Sequence, residues 1–371
     1  MIVGLFPDLS ATGGIPRSGC LSALALASFA AQRGERCRFI SLREPAGTRS
    51  VQTGAGEICF TGCGGSKTRF VSAASSLAIR QPSIVVALHP HQAPVLAAMK
   101  ILAPGMRSVV VVHGVEVWTP LPAARRWSLQ SADRVLGPSE YTLSRAMKEQ
   151  CLLPARGRKL AWSLGPEFDP RLAPCAGSAA PAGFPRGRII LTVGRWEANE
   201  AYKGVDHLIA ALPALLKTIP DARLVAVGEG SDLPRLQRLA RESGVSGHVH
   251  FLPFITHEEL PNAYDHCDVF AMPSSGEGFG LVFIEAMARG KPVIGGAHGG
   301  TPEIIEDGSN GYVVRHGDVE QLVDRLRRLL SNDSLRREMG AQAFAKVSRE
   351  FTFARFSSEL NTILYELLDY L

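Results

Sequence analysis

The stretch EGFGLVFIEAMARGKPVIGG, running from Glu277 to Gly296, switches from a polar glycine turn to an apolar run at Leu281. That switch predicts a helix over about Leu281 to Ala288, a stop at Gly290 and a buried strand from Pro292 to Ile294. Two carboxylates, Glu277 and Glu285, bracket the turn Gly278-Phe279-Gly280, so one sits before the helix and the other inside it. The backbone N–H groups of Phe279, Gly280 and Leu281 fall at the helix N-terminus, where unpaired donors and the positive end of the dipole attract an anion. One short segment therefore combines an anion seat with two acceptors for hydroxyl groups. A ligand carrying phosphates and sugar hydroxyls, such as a nucleotide sugar, suits both.

Strands and helices alternate on both sides of this segment. In the second half, strands are expected at Arg188 to Val193, Arg223 to Val227, His248 to Leu252 and Val269 to Met272, with a helix over Leu233 to Glu242. Helical stripes fall at Val205, Leu208, Ile209, Leu212, Leu215 and Leu216, at Val319 to Leu330, and at Phe356, Leu360, Ile363, Leu364 and Leu367. The first half repeats the pattern: strand Ile2 to Phe6, the glycine loop Gly13-Gly14, and a helix through Leu21, Leu24, Ala25 and Phe29. Strands follow at Arg38 to Leu42, Ile84 to Leu88, Ser108 to Val112 and Arg134 to Gly137, among helices near Ala73 to Arg80, Ala93 to Leu102 and Glu140 to Gln150. Ser139 is placed to cap the last of these. Such alternation predicts two Rossmann-like α/β halves, each a parallel sheet covered on both faces, with ligands at the strand C-terminal ends. Ala173 to Gly183, rich in Pro, Gly and Ala and without periodicity, reads as part of a linker. The expected division is residues 1–172, a linker at 173–187, a second domain at 188–350 and a terminal helix at 351–371.

Continued by Gly299-Gly300-Thr301-Pro302-Glu303-Ile304-Ile305 and Asp307-Gly308-Ser309-Asn310-Gly311, the opening stretch resembles the nucleotide-sugar site of retaining GT-B glycosyltransferases of glycosyltransferase family 4. The resemblance implies two Rossmann-like domains facing each other across a cleft, with a C-terminal helix crossing back to the first. It implies a hexosyltransferase that moves a sugar from a UDP- or GDP-sugar to a hydroxyl, with retention, in polysaccharide or glycoconjugate synthesis. By the same resemblance, Arg195 and Lys203 match the diphosphate-binding pair, Glu277 faces the donor sugar and Glu285 the ribose, and Gly13, Gly14 and His113 approach the donor from the first domain. Two departures stand out: Pro16 beside the glycine loop, and a longer segment than usual between Arg195 and Lys203. A sugar-nucleotide epimerase of the same architecture and a silent subunit of a glycan assembly complex are the alternative readings.

The chemistry agrees with a metal-independent site. Glycosyl transfer from a nucleotide diphosphate sugar leaves a highly charged diphosphate, which needs positive charge nearby. The sequence contains no Asp-x-Asp to gather a divalent ion, whereas Arg195 follows a strand and Lys203-Gly204 precedes a helix. No cofactor beyond the donor substrate is expected. The base is left to the strand ends Glu229 to Ser231 and Pro253 to Ile255.

Other classes recede. At 371 residues, 46% hydrophobic and 20% charged, the composition is that of a soluble two-domain protein. The N-terminus lacks the basic and long apolar regions of a signal peptide, and seven scattered cysteines form no disulfide or zinc framework, so a cytoplasmic protein is expected. A net charge of +5 without a basic run argues against nucleic acid as a partner. Arg125-Arg126-Trp127 and Arg156 to Trp162 leave room for peripheral contact with an anionic membrane at its inner face. The expected partners are the donor and a glycan, lipid-linked or small-molecule acceptor. Gly228-Glu229-Gly230 begins a dinucleotide fingerprint but has Leu233 at the third glycine, and Gly64 to Thr68 reads as a turn rather than a phosphate loop.

Overall fold

Ile2–Phe6 (β1) is buried at every position, as a strand with helices on both faces must be. In the computed structural model, which describes residues 1–11, 13–53, 56–169, 180–256 and 259–369, it lies inside an eight-stranded sheet. The other strands are Cys37–Ser41 (β2), Gly47–Thr53 (β3), Gly56–Gly62 (β4), Ile84–Ala87 (β5), Arg107–Val111 (β6), Arg134–Gly137 (β7) and Gly157–Lys159 (β8). Their order is β3-β4-β2-β1-β5-β6-β7-β8, parallel except where β3 pairs antiparallel with β4. That hairpin was not foreseen. Its signal was the alternation of buried Ile58 and Phe60 with exposed Cys59 and Thr61.

The second sheet is wholly parallel. It contains Arg188–Val193 (β9), Ala222–Val227 (β10), Val249–Leu252 (β11), Val269–Met272 (β12), Val293–Gly296 (β13) and Gly311–Val314 (β14), in the order β11-β10-β9-β12-β13-β14. Chain order runs outward from β9 in one direction and from β12 in the other, so the topological switch point lies between these two strands. Helix Val205–Leu216 buries Val205, Leu208, Ile209, Leu212 and Leu215 in the core of this unit. Five such side chains contribute roughly 10 kcal/mol of transfer free energy, largely offset by chain ordering.

Contacts divide the chain into Met1–Pro166 with Phe353–Leu371, and Glu167–Thr352. The first segment ends at Pro166 rather than at residue 172 because the fully buried Phe168 packs edge-on to Tyr264 of the second unit, with centroids 5.7 Å apart. The expected linker lies partly outside the described residues; of it, 180–187 belongs to the second unit. The last helix, Phe353–Asp369, belongs to the first unit, where Tyr365 meets Phe29 at 4.9 Å and Phe356 meets Trp162 at 5.8 Å.

Several boundaries moved for local reasons. Gly64 and Gly65 form the expected turn, closed by Ser66 N donating to Cys63 O at 3.1 Å, but it connects a strand to a helix, and the helix Lys67–Ala78 starts earlier than expected because the Ser66 side chain caps it by accepting from Arg69 N. Pro16 falls in the first turn of helix Gly14–Gln32, where a missing N–H removes no intrahelical bond. Helix Asp333–Glu350 was missed; Asn332 caps it, accepting from Leu335 N at 3.0 Å.

Gly340, inside that helix, allows it to lie against the end of helix Leu281–Ala288, since a Cβ there would come 2.1 Å from Gly290 O. Gly340→Ala should therefore destabilise by about 1 to 3 kcal/mol despite alanine's better helix propensity. The drop in melting temperature should be absent from Gly105→Ala, whose added Cβ meets nothing within 4 Å. Equal melting curves for the two variants would contradict this packing.

Candidate active site

Loops leaving the C-terminal ends of β9 and β12 meet at the switch point of the second sheet. The β9 loop carries Gly194, Arg195 and the buried Trp196, then turns through Ala198–Lys203 into helix Val205–Leu216. Gly204, at φ 76°, is where that turn touches the β12 loop: a Cβ would stand 2.6 Å from Pro273 O. Ser275 N donates to Tyr202 O at 2.8 Å and joins the two loops directly. On the other side, Gly228 presses on Gly194 O so closely that a Cβ would lie 1.8 Å away, and Trp196 N donates to Glu229 O at 2.8 Å. The partial fingerprint Gly228-Glu229-Gly230 is thus a packing device between strand ends.

Arg195 and Lys203 are brought together. Lys203 Nζ donates to Arg195 O at 3.0 Å, lies 6.0 Å from the centre of the Trp196 ring, and is 12% exposed against 58% for Arg195. Glu200, which the sequence reading passed over, joins them: its Oε1 accepts from Arg195 Nη2 and its Oε2 from Lys203 Nζ, each at 2.5 Å. Its signal was the spacing to Lys203, which on a tight helical turn sets two side chains on one side.

Glu277 faces this cluster. Its backbone bridges Gly299, its carbonyl accepts from Gly300 N at 2.7 Å, and Gly299 needs its φ of 78° and its lack of a Cβ to come this close. Burial pushes the Glu277 carboxyl from 4.5 up to about 7; the Lys203 ammonium works against that rise and the Glu200 carboxylate with it. Three residues on, Gly280 at φ 98° ends the loop and opens helix Leu281–Ala288, the range expected from sequence. Phe279 is buried against Phe351, with centroids 5.6 Å apart, which fixes the approach to the first turn, where Phe283 N donates to Gly280 O at 3.0 Å.

Glu285 is placed differently from Glu277. Only 1% exposed, it accepts at Oε2 from the Tyr264 hydroxyl at 2.8 Å, behind the ring cluster of Tyr264, Phe270 and Phe283. The seven-residue spacing therefore separates a carboxylate at the loop from one inside the unit. Tyr264 was not anticipated, because the short helix Leu260–Asp265 that carries it has no periodicity to betray it.

The remaining candidates belong to the first unit. Gly13, at φ 126°, precedes helix Gly14–Gln32, and a Cβ on it would meet nothing within 4 Å, so backbone conformation rather than crowding calls for glycine. The buried Glu44 carboxylate anchors the chain leading to this loop, accepting from Leu9 N, Ser10 N and the Ser41 hydroxyl. His113 follows β6. Its Nε2 lies 2.7 Å from Leu88 O, and since a carbonyl only accepts, Nε2 carries the proton. Its ring stacks between Trp162 at 5.5 Å and His89 at 5.7 Å. Burial holds His89 down at about 3, with His113, His91, Arg43 and Arg125 acting in the same direction.

Residues 180–346 match the family model described as glycosyl transferases group 1. A GDP-mannose-dependent alpha-(1-6)-phosphatidylinositol monomannoside mannosyltransferase of Mycolicibacterium smegmatis is 38% identical over 251 residues, 63% of each chain. Its namesake from Mycobacterium tuberculosis is 34% identical over 292 residues, 74% of this chain and 72% of the relative. The chain belongs to the glycosyl transferases group 1 family. Its fold is GT-B: the structure of sucrose-phosphate synthase from Thermosynechococcus elongatus superposes with a TM-score of 0.81 at 19% identity, covering 100% of both chains.

In this glycosyltransferase the Glu277 carboxyl links stability to pH. Because folding raises its proton affinity, the stability it contributes is complete below about pH 4.5 and lost as pH rises through about 7. Glu277→Gln removes that dependence. The variant's stability relative to the parent should therefore climb by roughly 1 to 3 kcal/mol between pH 4.5 and 8, read from melting curves. A difference independent of pH would place the Glu277 carboxyl in water.

Proposed function

We propose that this glycosyltransferase moves a hexose, mannose foremost, from a GDP-sugar to a hydroxyl acceptor with retention of configuration and without a metal ion. The observation that carries the reading is the pair Arg195 and Lys203 at the switch point, beside Glu277 and the first turn of helix Leu281–Ala288. Two fixed cations and a helix N-terminus are what a departing diphosphate needs, since they strengthen as its charge develops. Glu277 accepts from a donor-sugar hydroxyl, and Glu285, held in place by Tyr264, takes the ribose hydroxyls. With no nucleophile assigned at the anomeric carbon, the sugar passes to the acceptor on the face the diphosphate leaves, and the diphosphate takes the acceptor's proton.

The names of the two relatives support GDP-mannose as donor and a glycolipid bearing sugar hydroxyls as acceptor. No helix among the described residues is long and apolar enough to cross a membrane. Work on such an acceptor would fall to the protein at a membrane surface, where Arg125, Arg126 and the 61% exposed Trp127 on helix Ala123–Gln130 offer a basic and aromatic contact.

Calorimetric titration with GDP and UDP in EDTA tests the donor half. GDP should bind more tightly than UDP, and Arg195→Ala should weaken GDP about 10- to 100-fold, the loss of a charged contact, with an unchanged melting curve. Binding that requires added magnesium, or an Arg195→Ala variant with parental affinity, would overturn the proposed site.

A further inference from the structure

One carboxylate stands where the proposed function needs the donor's diphosphate. Glu200 places one oxygen on Arg195 Nη2 and the other on Lys203 Nζ, both at 2.5 Å. Among the described residues it is the only ion-pair partner of either cation. The neighbouring arginine is occupied elsewhere, since Arg235 pairs with Asp232 at 2.6 Å and Asp206 at 3.5 Å. Glu200 also sits at a break in the backbone: at φ −111° and ψ 20° it is the non-helical residue inside the turn Ala198–Lys203. A side chain at such a joint can swing without unwinding helix Val205–Leu216, which begins beyond Gly204.

We infer that Glu200 is a resident anion that holds the diphosphate site in the absence of donor and is displaced when the diphosphate binds. The inference rests on the reading of Arg195 and Lys203 as diphosphate ligands. A carboxylate spanning two cations mimics one phosphate group, with a single charge against the greater charge of a diphosphate. The donor therefore wins the exchange, but by less than it would against an empty site. After transfer the returning carboxylate competes with the bound nucleoside diphosphate and favours its release. The extra length between Arg195 and Lys203 gains a purpose: it supplies the loop from which Glu200 reaches both.

The test compares the full chain with Glu200→Gln and Glu200→Ala, titrating GDP and, separately, inorganic pyrophosphate. Removing the competing charge should tighten both ligands, by about 3- to 10-fold given that Arg195 is largely exposed and its ion pair screened. In steady state with a GDP-sugar donor, KM for the donor should fall while kcat falls or stays level, and GDP should become a stronger product inhibitor. If Glu200 only steadies Lys203, both variants bind more weakly and KM rises, which overturns the inference while leaving the diphosphate site intact. Unchanged affinity in both variants overturns it too. Should Arg195→Ala leave GDP affinity at the parental value, the reading of the site fails, and the inference with it.

Discussion

The register between β9 and β12, Val269 opposite Ile190 and Phe270 opposite Leu191, is the constraint on which the site depends. These strands are distant in sequence, and the helices and strands that follow each run away from the other in the sheet. Only here do two loop ends lie side by side with no crossover between them, which is why open α/β sheets bind ligands at this position. Gly204 against Pro273 O, Gly228 against Gly194 O and Gly299 against Glu277 O each let one of these loops close on its neighbour. Side chains at those three points would collide with the facing backbone and push the loops apart.

Electrostatics at the crevice follow from that closeness. Two cations held a few ångströms apart repel unless an anion lies between them, and burial around Lys203 makes the repulsion harder to screen. Glu200 resolves this within the chain. Glu200 also acts on Glu277, adding to the burial that raises the Glu277 carboxyl while Lys203 works against the rise.

What the sequence made legible were features with a local cause. Helix Leu281–Ala288 and helix Glu140–Gln150 begin and end at the expected residues because a glycine and a capping serine mark them, and Ser139 does accept from Thr142 N at 3.1 Å. The pairing of Arg195 with Lys203 could be anticipated because both flank the same strand-to-helix connection. Features that depend on distant partners were not legible. Tyr264 reaches Glu285 from twenty-one positions away, Glu44 anchors a loop thirty-five positions upstream, and β3 forms an edge strand whose partner alone defines it. No window of sequence carries those distances.

The contrast between the two glutamates of the motif has the same origin. Equal in sequence, they differ because Glu277 belongs to a loop tied to Gly299 and Gly300, whereas Glu285 lies on the face of its helix turned toward Tyr264. The carboxyl at the loop has its proton affinity raised by burial and feels the charges of Lys203 and Glu200. A carboxylate 1% exposed and hydrogen-bonded by a fully buried tyrosine is fixed in orientation, since turning it would leave a polar group unsatisfied inside the unit. The motif thus sets one carboxylate on a loop tied to the next strand's end and the other on the helix that follows, each with its own surroundings.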